Sequence, residues 1–272
     1  GVVGLALDLP LGITVEPRTD GELKIERRDD PSAHLEDYRH DPVIRGLRLG
    51  AERFSVSLAR GLSITVEGTI PRGTGMGTIS AGYAAGLGIA VRLAKKKPAT
   101  AAALDALVCL GGDPAHGAAA LLGGLTVTTQ LSLPNEPELR HQPLSLTVHE
   151  DWHYVIALPD VQMGTADTKR VLPPTLPHAA IRRSIGRTYG VLRALEQADE
   201  SLLRQCLQDE VHLPYRRRLV PGLDEALAGA VSAGAAGATI CGHGPGLIAF
   251  TTVQGRVPEI ARAMVHAFAQ AG

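Results

Sequence analysis

The stretch Ile70–Gly82, IPRGTGMGTISAG, constrains this chain more than any other. It places Gly73, Gly75 and Gly77 within five residues, behind the alternating segment LSITVEG and directly ahead of the pattern ISAGYAAGLGIAVRLAKK. Alternation predicts a half-buried strand, and the apolar spacing that follows predicts a helix. The chain must therefore turn from strand to helix through nearly bare backbone. Glycines allow positive φ and let another group approach the main chain closely. A helix that begins just behind them aims its unpaired N–H groups and the positive end of its dipole at that space. Such a turn is a seat for phosphate, and the hydroxyls of Thr74, Thr78 and Ser80 add contacts for phosphate oxygens or magnesium.

Two common phosphate loops are excluded by spacing. A Walker A loop needs a lysine after its glycines, and none stands here. A dinucleotide fingerprint needs G-x-G-x-x-G and an acid about twenty residues on. The spacing here is G-x-G-x-G, and the corresponding region reads LAKKK. The local pattern leaves two readings open: a phosphate seat, or a glycine bend that only permits tight helix–strand packing.

The bulk composition narrows the partners. With 272 residues, 44% hydrophobic and 20% charged, the chain has an ordinary globular composition and length for a sizeable core. A formal net charge of -1 gives no footprint for nucleic acid or an anionic membrane. The short clusters RRDD and YRRRL are expected on solvated faces or as anion contacts. Cys109, Cys206 and Cys241 form no CxxC pair, which argues against a disulfide framework or zinc site and points to a reducing, cytoplasmic setting. No apolar run reaches membrane-spanning length and no signal segment is evident. The chain opens GVVGLALDLP, already inside an apolar element, as expected of a trimmed start or of upstream residues missing from the sequence.

Along the chain, ELKIERR and LSITVEG read as strands and DPVIRGLRLGAERF between them as a helix. After the glycine loop come three helices, the first ending at Lys95, Lys96, Lys97 and Pro98, and then the strand LTVTTQLSL. SLPNEPELRHQPLS reads as a turn-rich separator. Beyond it the strand WHYVIALP, the helix HAAIRRSIGRTYGVLRALEQ, a helix ending at Gly234, a strand–glycine turn–strand in GATICGHGPGLIAFTT and a closing helix form an alternating α+β pattern of ferredoxin-like character.

Several segments in order resemble one family. PRGTGMGTISA is similar to the P-x-x-x-G-L-G-S-S-A motif of the GHMP kinases, and GAAGATICGHGPGLIAF to their C-terminal G-A-x-G-A-x-I-S-G-x-G-P-x-x-x-A-F motif. Within that family the homoserine kinases are the nearest likeness. GLALDLPL, GDPAHGAAALLGGLTV, PDVQMGTADTKRVLP and PYRRRLVPG each resemble a homoserine kinase segment, and together they cover nearly the whole chain. The resemblance implies an α+β fold in two lobes. Residues 1–140 would form a nucleotide-binding lobe similar to ribosomal protein S5 domain 2, and 141–272 a ferredoxin-like lobe. It implies an ATP- and Mg2+-dependent kinase that phosphorylates the hydroxyl of homoserine or a similar small hydroxy acid. Pro71, Gly73, Gly75, Met76, Gly77, Thr78, Ser80 and Ala81 would hold the nucleotide. Thr78 and Asp113 would hold the metal and serve the chemistry. Thr165, Lys169, Arg216, Gly242, His243 and Gly244 would take the substrate. The partners implied are a small-molecule substrate and, as in many relatives, a second copy of the chain, with no nucleic acid or membrane.

The chain also departs from that pattern. Thr78 and Ile79 stand where the family has paired serines, and Asp113, Pro114, Ala115 and His116 where it has H-P-D-N. Gly111 takes the place of a magnesium-binding glutamate in an ungapped alignment. Asp113 or Asp105 would then substitute, although Asp113 also reads as a helix N-cap and Asp105 as a surface residue. Lys169 keeps the charge of the family's arginine without its carboxylate-matching fork. Two other readings stay open at this point. One is a β-ribofuranosylaminobenzene 5′-phosphate synthase-like enzyme that uses phosphoribosyl pyrophosphate; the other is a non-catalytic relative that binds a phosphorylated ligand.

Overall fold

The computed structural model describes residues 2–29, 38–58, 61–132, 134, 138–161 and 163–271. It divides into two compact units: residues 1–71 with 77–146, and residues 72–76 with 147–272.

In the first unit, β1 (Val3–Leu5), β2 (Leu11–Pro17) and β3 (Leu23–Arg27) precede α1 (Pro42–Phe54) and β4 (Leu62–Gly68). Then come α2 (Thr78–Ala94), α3 (Thr100–Cys109), α4 (Pro114–Leu122), β5 (Leu125–Leu131) and β6 (Arg140–Leu146). β4 lies between β2, antiparallel, and β3, parallel; β5 lies between β1 and β6, both antiparallel. Asp41 starts α1 by accepting hydrogen bonds from the Val43 and Ile44 amides at 2.8 and 3.4 Å, with Pro42 at the first helical position. α1 packs backbone to backbone against α2. A Cβ on Gly86 would stand 1.9 Å from the Val43 carbonyl oxygen, and one on Gly46 would stand 2.3 Å from that of Tyr83. The glycines and alanines of α2 therefore serve helix packing as well as the turn before them. Val43, Ile44, Leu47, Ile64 and Val66 fill the core between this helix pair and the β2–β4–β3 sheet.

In the second unit, β7 (His153–Ala157) leads through α5 (Thr165–Arg170), α6 (His178–Gln197), α7 (Glu200–Cys206), α8 (Leu213–Arg216) and α9 (Leu223–Ser232) to β8 (Gly237–Ile240). β9 (Leu247–Thr251) and α10 (Val257–Ala271) complete it. β9 pairs antiparallel with both β7 and β8, so these two run parallel on either side of it, the split βαβ arrangement of ferredoxin-like folds. Every residue of β9 is buried, and the core gathers Leu223, Ala226, Leu247, Ile260 and Met264. The mixed α+β class expected from the sequence is the class observed. No helix among the described residues is long and apolar enough to cross a membrane.

Three expectations are corrected. SLPNEPELRHQPLS is not only turns: it contains β6, fully paired to β5. Part of RRDD is not a solvated face. Arg27 is buried, with Nε and Nη2 donating to Asp29 at 2.8 and 2.6 Å and Nη1 to Asp41 at 3.0 Å; Asp30 lies outside the described residues. Asp105 is not a surface residue. Its carboxylate, buried on α3, accepts hydrogen bonds from the His141 amide at 2.9 Å, His141 Nδ1 at 3.0 Å and Arg140 Nη1 at 3.4 Å, and so anchors β6.

Candidate active site

The glycine loop divides between the units at two peptide bonds, Pro71 to Arg72 and Met76 to Gly77. In the second unit, residues 72–76 lie on the turn that joins β8 to β9. The Gly246 amide donates to the Thr74 carbonyl at 3.0 Å. The turn closes on itself, with Gly244 N–H donating to Cys241 O and Cys241 N–H to Gly246 O, both at 2.7 Å. A Cβ on Gly75 would stand 2.1 Å from the Cys241 carbonyl oxygen and under 3 Å from the Gly244 backbone. Gly75, at φ +82°, is thus glycine because a second main chain passes against it. Gly73, at φ +72°, faces open space, with no atom within 4 Å of a Cβ built there.

The same unit carries the residues expected to take the substrate, and Arg216 and the turn itself are in contact. Gly242 is exposed, His243 half-buried and Gly244 buried at φ +89°. A Cβ on Gly244 would meet the Met163 Cε at 3.5 Å, which puts the chain entering α5 beside the turn. Thr165 is the first residue of α5, and the exposed Lys169 lies in its last turn. Arg216 is buried, at 5% exposure, while its neighbours Arg217 and Arg218 are exposed. Its Nη1 donates to the Gly242 carbonyl at 2.9 Å, so it braces the glycine turn and is not part of a solvated basic face. Burial pushes the Cys241 thiol up to about 12, which keeps it from acting as a nucleophile.

In the first unit, Gly77 (φ +80°) is the N-cap of α2 and supplies no side-chain cap to its first turn. The Thr78 hydroxyl donates to the Pro71 carbonyl at 3.3 Å, and the Ala81 amide bonds the Gly77 carbonyl at 2.9 Å. Ser80 is buried, and its Oγ accepts the Asp113 amide at 3.1 Å. This contact brings the starts of α2 and α4 together. Asp113 caps α4 through Oδ1, which accepts the Ala115 and His116 amides at 2.9 and 3.1 Å. The His116 ring lies against Gly77, where a Cβ would be 3.0 Å from its Cγ. Burial lowers the His116 pKa, and the Asp113 carboxylate 3.9 Å away opposes that only in part. A neutral imidazole therefore flanks the start of α2 at neutral pH.

Among the described residues no three His, Cys, Asp or Glu side chains are grouped as a metal site. A hard cation that shares substrate phosphates needs only one or two carboxylates, and Asp113, with hydroxyl oxygens at Thr78 and Ser80, has the right donor chemistry. Gly111, at φ +93°, holds a backbone conformation that a glutamate adopts only with strain. The link from Ser80 to Asp113 and the approach of Met163 to Gly244 carry no local sequence signal, because each joins residues far apart in the chain.

Comparison with known proteins identifies the family of the chain. The family model for the C-terminal part of GHMP kinases matches residues 191–270. The homoserine kinase of Trichormus variabilis is 31% identical over 212 residues, which cover 78% of this chain and 68% of that enzyme. The homoserine kinase of a Synechococcus species is 28% identical over 270 residues, covering 99% of this chain and 86% of that one. The crystal structure of homoserine kinase from Cytophaga hutchinsonii superposes with a TM-score of 0.83 at 25% identity, covering 99% of this chain and 85% of that one. The first of these alignments thus spans about two thirds of the relative's length.

Proposed function

Since the chain belongs to the GHMP kinases and is a phosphotransferase with an alcohol group as acceptor, we propose that it transfers the γ-phosphoryl group of ATP to the hydroxyl of homoserine or a similar small hydroxy acid. One observation supports this reading above the others. A glycine loop braced on the β8–β9 turn runs directly into a helix whose first amides have no side-chain cap. Phosphoryl transfer asks a protein for alignment and charge neutralisation more than for covalent chemistry. Uncapped amides at the start of α2, with the dipole behind them, supply both to a polyphosphate. The family resemblance supports Pro71, Gly73, Gly75, Met76, Gly77, Thr78, Ser80 and Ala81 as the residues for the nucleotide. Asp113 and Thr78 would hold a magnesium ion, which supplies positive charge to the phosphates. Thr165, Lys169 and the Gly242–Gly244 turn, held by Arg216, take the acceptor, with Lys169 as a cation for its carboxylate. The family resemblance also supports a cytoplasmic setting and a homodimer.

Asp113's capping role favours one second reading, a relative that binds nucleotide without turning it over. Thermal stabilisation separates the cases, since a ligand that binds only the folded state raises Tm by mass action. Mg·ATP is expected to raise Tm, with a further rise on adding homoserine, and to be converted to ADP with phosphorylation of the homoserine hydroxyl. Stabilisation by phosphoribosyl pyrophosphate alone would overturn the kinase reading, and a nucleotide shift with no turnover would favour the second one.

A further inference from the structure

Beside the middle of α2, away from the glycine loop, α1, α2 and α3 leave an open cavity of about 360 Å3. Phe54, Leu87, Pro98, Ala102, Ala103 and Ala106 form its walls, and Arg53 stands at its edge. The cause is local. α3 reads TAAALDALVC and presents methyl groups where larger side chains would have closed the gap against Leu87 and Phe54. Its apolar walls give water few hydrogen-bonding partners. The size falls in the range of small-molecule sites, which are mostly apolar with a few placed polar groups.

The charged group in the lining is a cation. The exposed Arg53 has its Nη2 3.9 Å from Cys109 Sγ, and no carboxylate among the described residues pairs with it. Lys96 stands over the Phe54 ring at 5.8 Å, bonds the Phe54 carbonyl at 3.4 Å and likewise has no acidic partner among the described residues. An apolar body entering this cavity leaves its head group beside the Arg53 guanidinium, the one charged group in its lining among the described residues. We propose that the cavity is a binding site for a small amphipathic carboxylate, with the hydrocarbon part against Leu87 and the α3 alanines and the carboxylate on Arg53. A guanidinium matches a carboxylate with two parallel hydrogen bonds, which a neutral or cationic head group cannot form. The site lies about 15 Å along α2 from Gly77, at the level of Leu87, so it is separate from the phosphate seat and makes no use of nucleotide.

Hexanoate tests this directly, by calorimetric titration of the full chain with acetate and hexylamine as controls. Saturable binding of hexanoate alone is expected, because acetate lacks the body and hexylamine carries the wrong charge. Arg53→Gln, at an exposed position, is expected to weaken hexanoate binding at least tenfold. Ala102→Leu, which puts bulk into the cavity from its exposed rim, is expected to abolish binding while Tm stays at or above that of the parent chain. The proposal is overturned if hexanoate shows no saturable binding, if hexylamine binds equally well, or if both variants bind hexanoate like the parent.

Discussion

Substituting alanine at Gly75 and at Gly73 separates two reasons for a glycine in the same loop. Both positions have left-handed backbone, at φ +82° and +72°. An L-residue there costs about 1–2 kcal/mol, and both variants share the small gain from a less flexible unfolded chain. They differ in what the new methyl group meets. At Gly73 it meets nothing within 4 Å, whereas at Gly75 it lies 2.1 Å from the Cys241 carbonyl oxygen and 2.8 Å from the Gly244 nitrogen. The loop or the turn must then move by about 1 Å, an overpacking strain of roughly 1–3 kcal/mol. Gly75→Ala is therefore expected to cost about 2–5 kcal/mol and Gly73→Ala about 1–2 kcal/mol. Trp152, the only tryptophan, is buried in the same unit with its ring edge-on to Phe250, so its fluorescence reports this unit's unfolding. With a urea dependence of roughly 1.5 kcal/mol/M, the Gly75→Ala midpoint falls by about 1–3 M and the Gly73→Ala midpoint by about 1 M. Equal midpoints for the two variants would show that the β8–β9 turn does not pack on Gly75, and the argument would fail.

Three further outcomes follow from the same structure. Arg27→Met leaves Asp29 and Asp41 buried around an apolar side chain and should cost about 3–5 kcal/mol in urea unfolding followed by circular dichroism. A loss under 1 kcal/mol would mean that the pair is solvated. Asp105→Ala frees the His141 amide and ring from α3 and should cost roughly 2–4 kcal/mol, with faster hydrogen exchange along β6; unchanged exchange would remove Asp105 as its anchor. Burial alone would raise the Asp209 pKa. Hydrogen bonds from the His212 side chain and from the His212 and Val211 amides outweigh it and hold the group at about 2, against 3.8 in the unfolded chain. This depressed carboxyl adds about 2 kcal/mol, fully present above pH 4 and lost as pH falls towards 2. Asp209→Asn should flatten that acid limb, and an unchanged limb would refute the assignment.

The sequence showed most where local pattern decides structure. α1 was legible from Asp41, Pro42 and its apolar spacing, and the β8–β9 hairpin from GHGPG between two apolar runs. It showed least where distant residues decide. β6 contains Pro143 and follows a run rich in proline and polar residues, so composition alone predicts turns; β5 and Asp105 make it a strand. Arg216 and Arg27 sit in arginine-rich strings that suggest solvated faces, and only tertiary partners 26 and 14 residues away show them buried. The glycine motif was legible as a turn into a helix. That Gly75 is occupied from the side by Cys241, and Gly77 by His116, depends on contacts that no window of sequence contains.

Phosphorus NMR of the chain with Mg·ATP and homoserine tests the central claim most directly. The account predicts a new phosphomonoester resonance that grows in step with ADP and needs homoserine to appear. ATP that stays intact over the same period, with homoserine and related hydroxy acids present in excess, would contradict it.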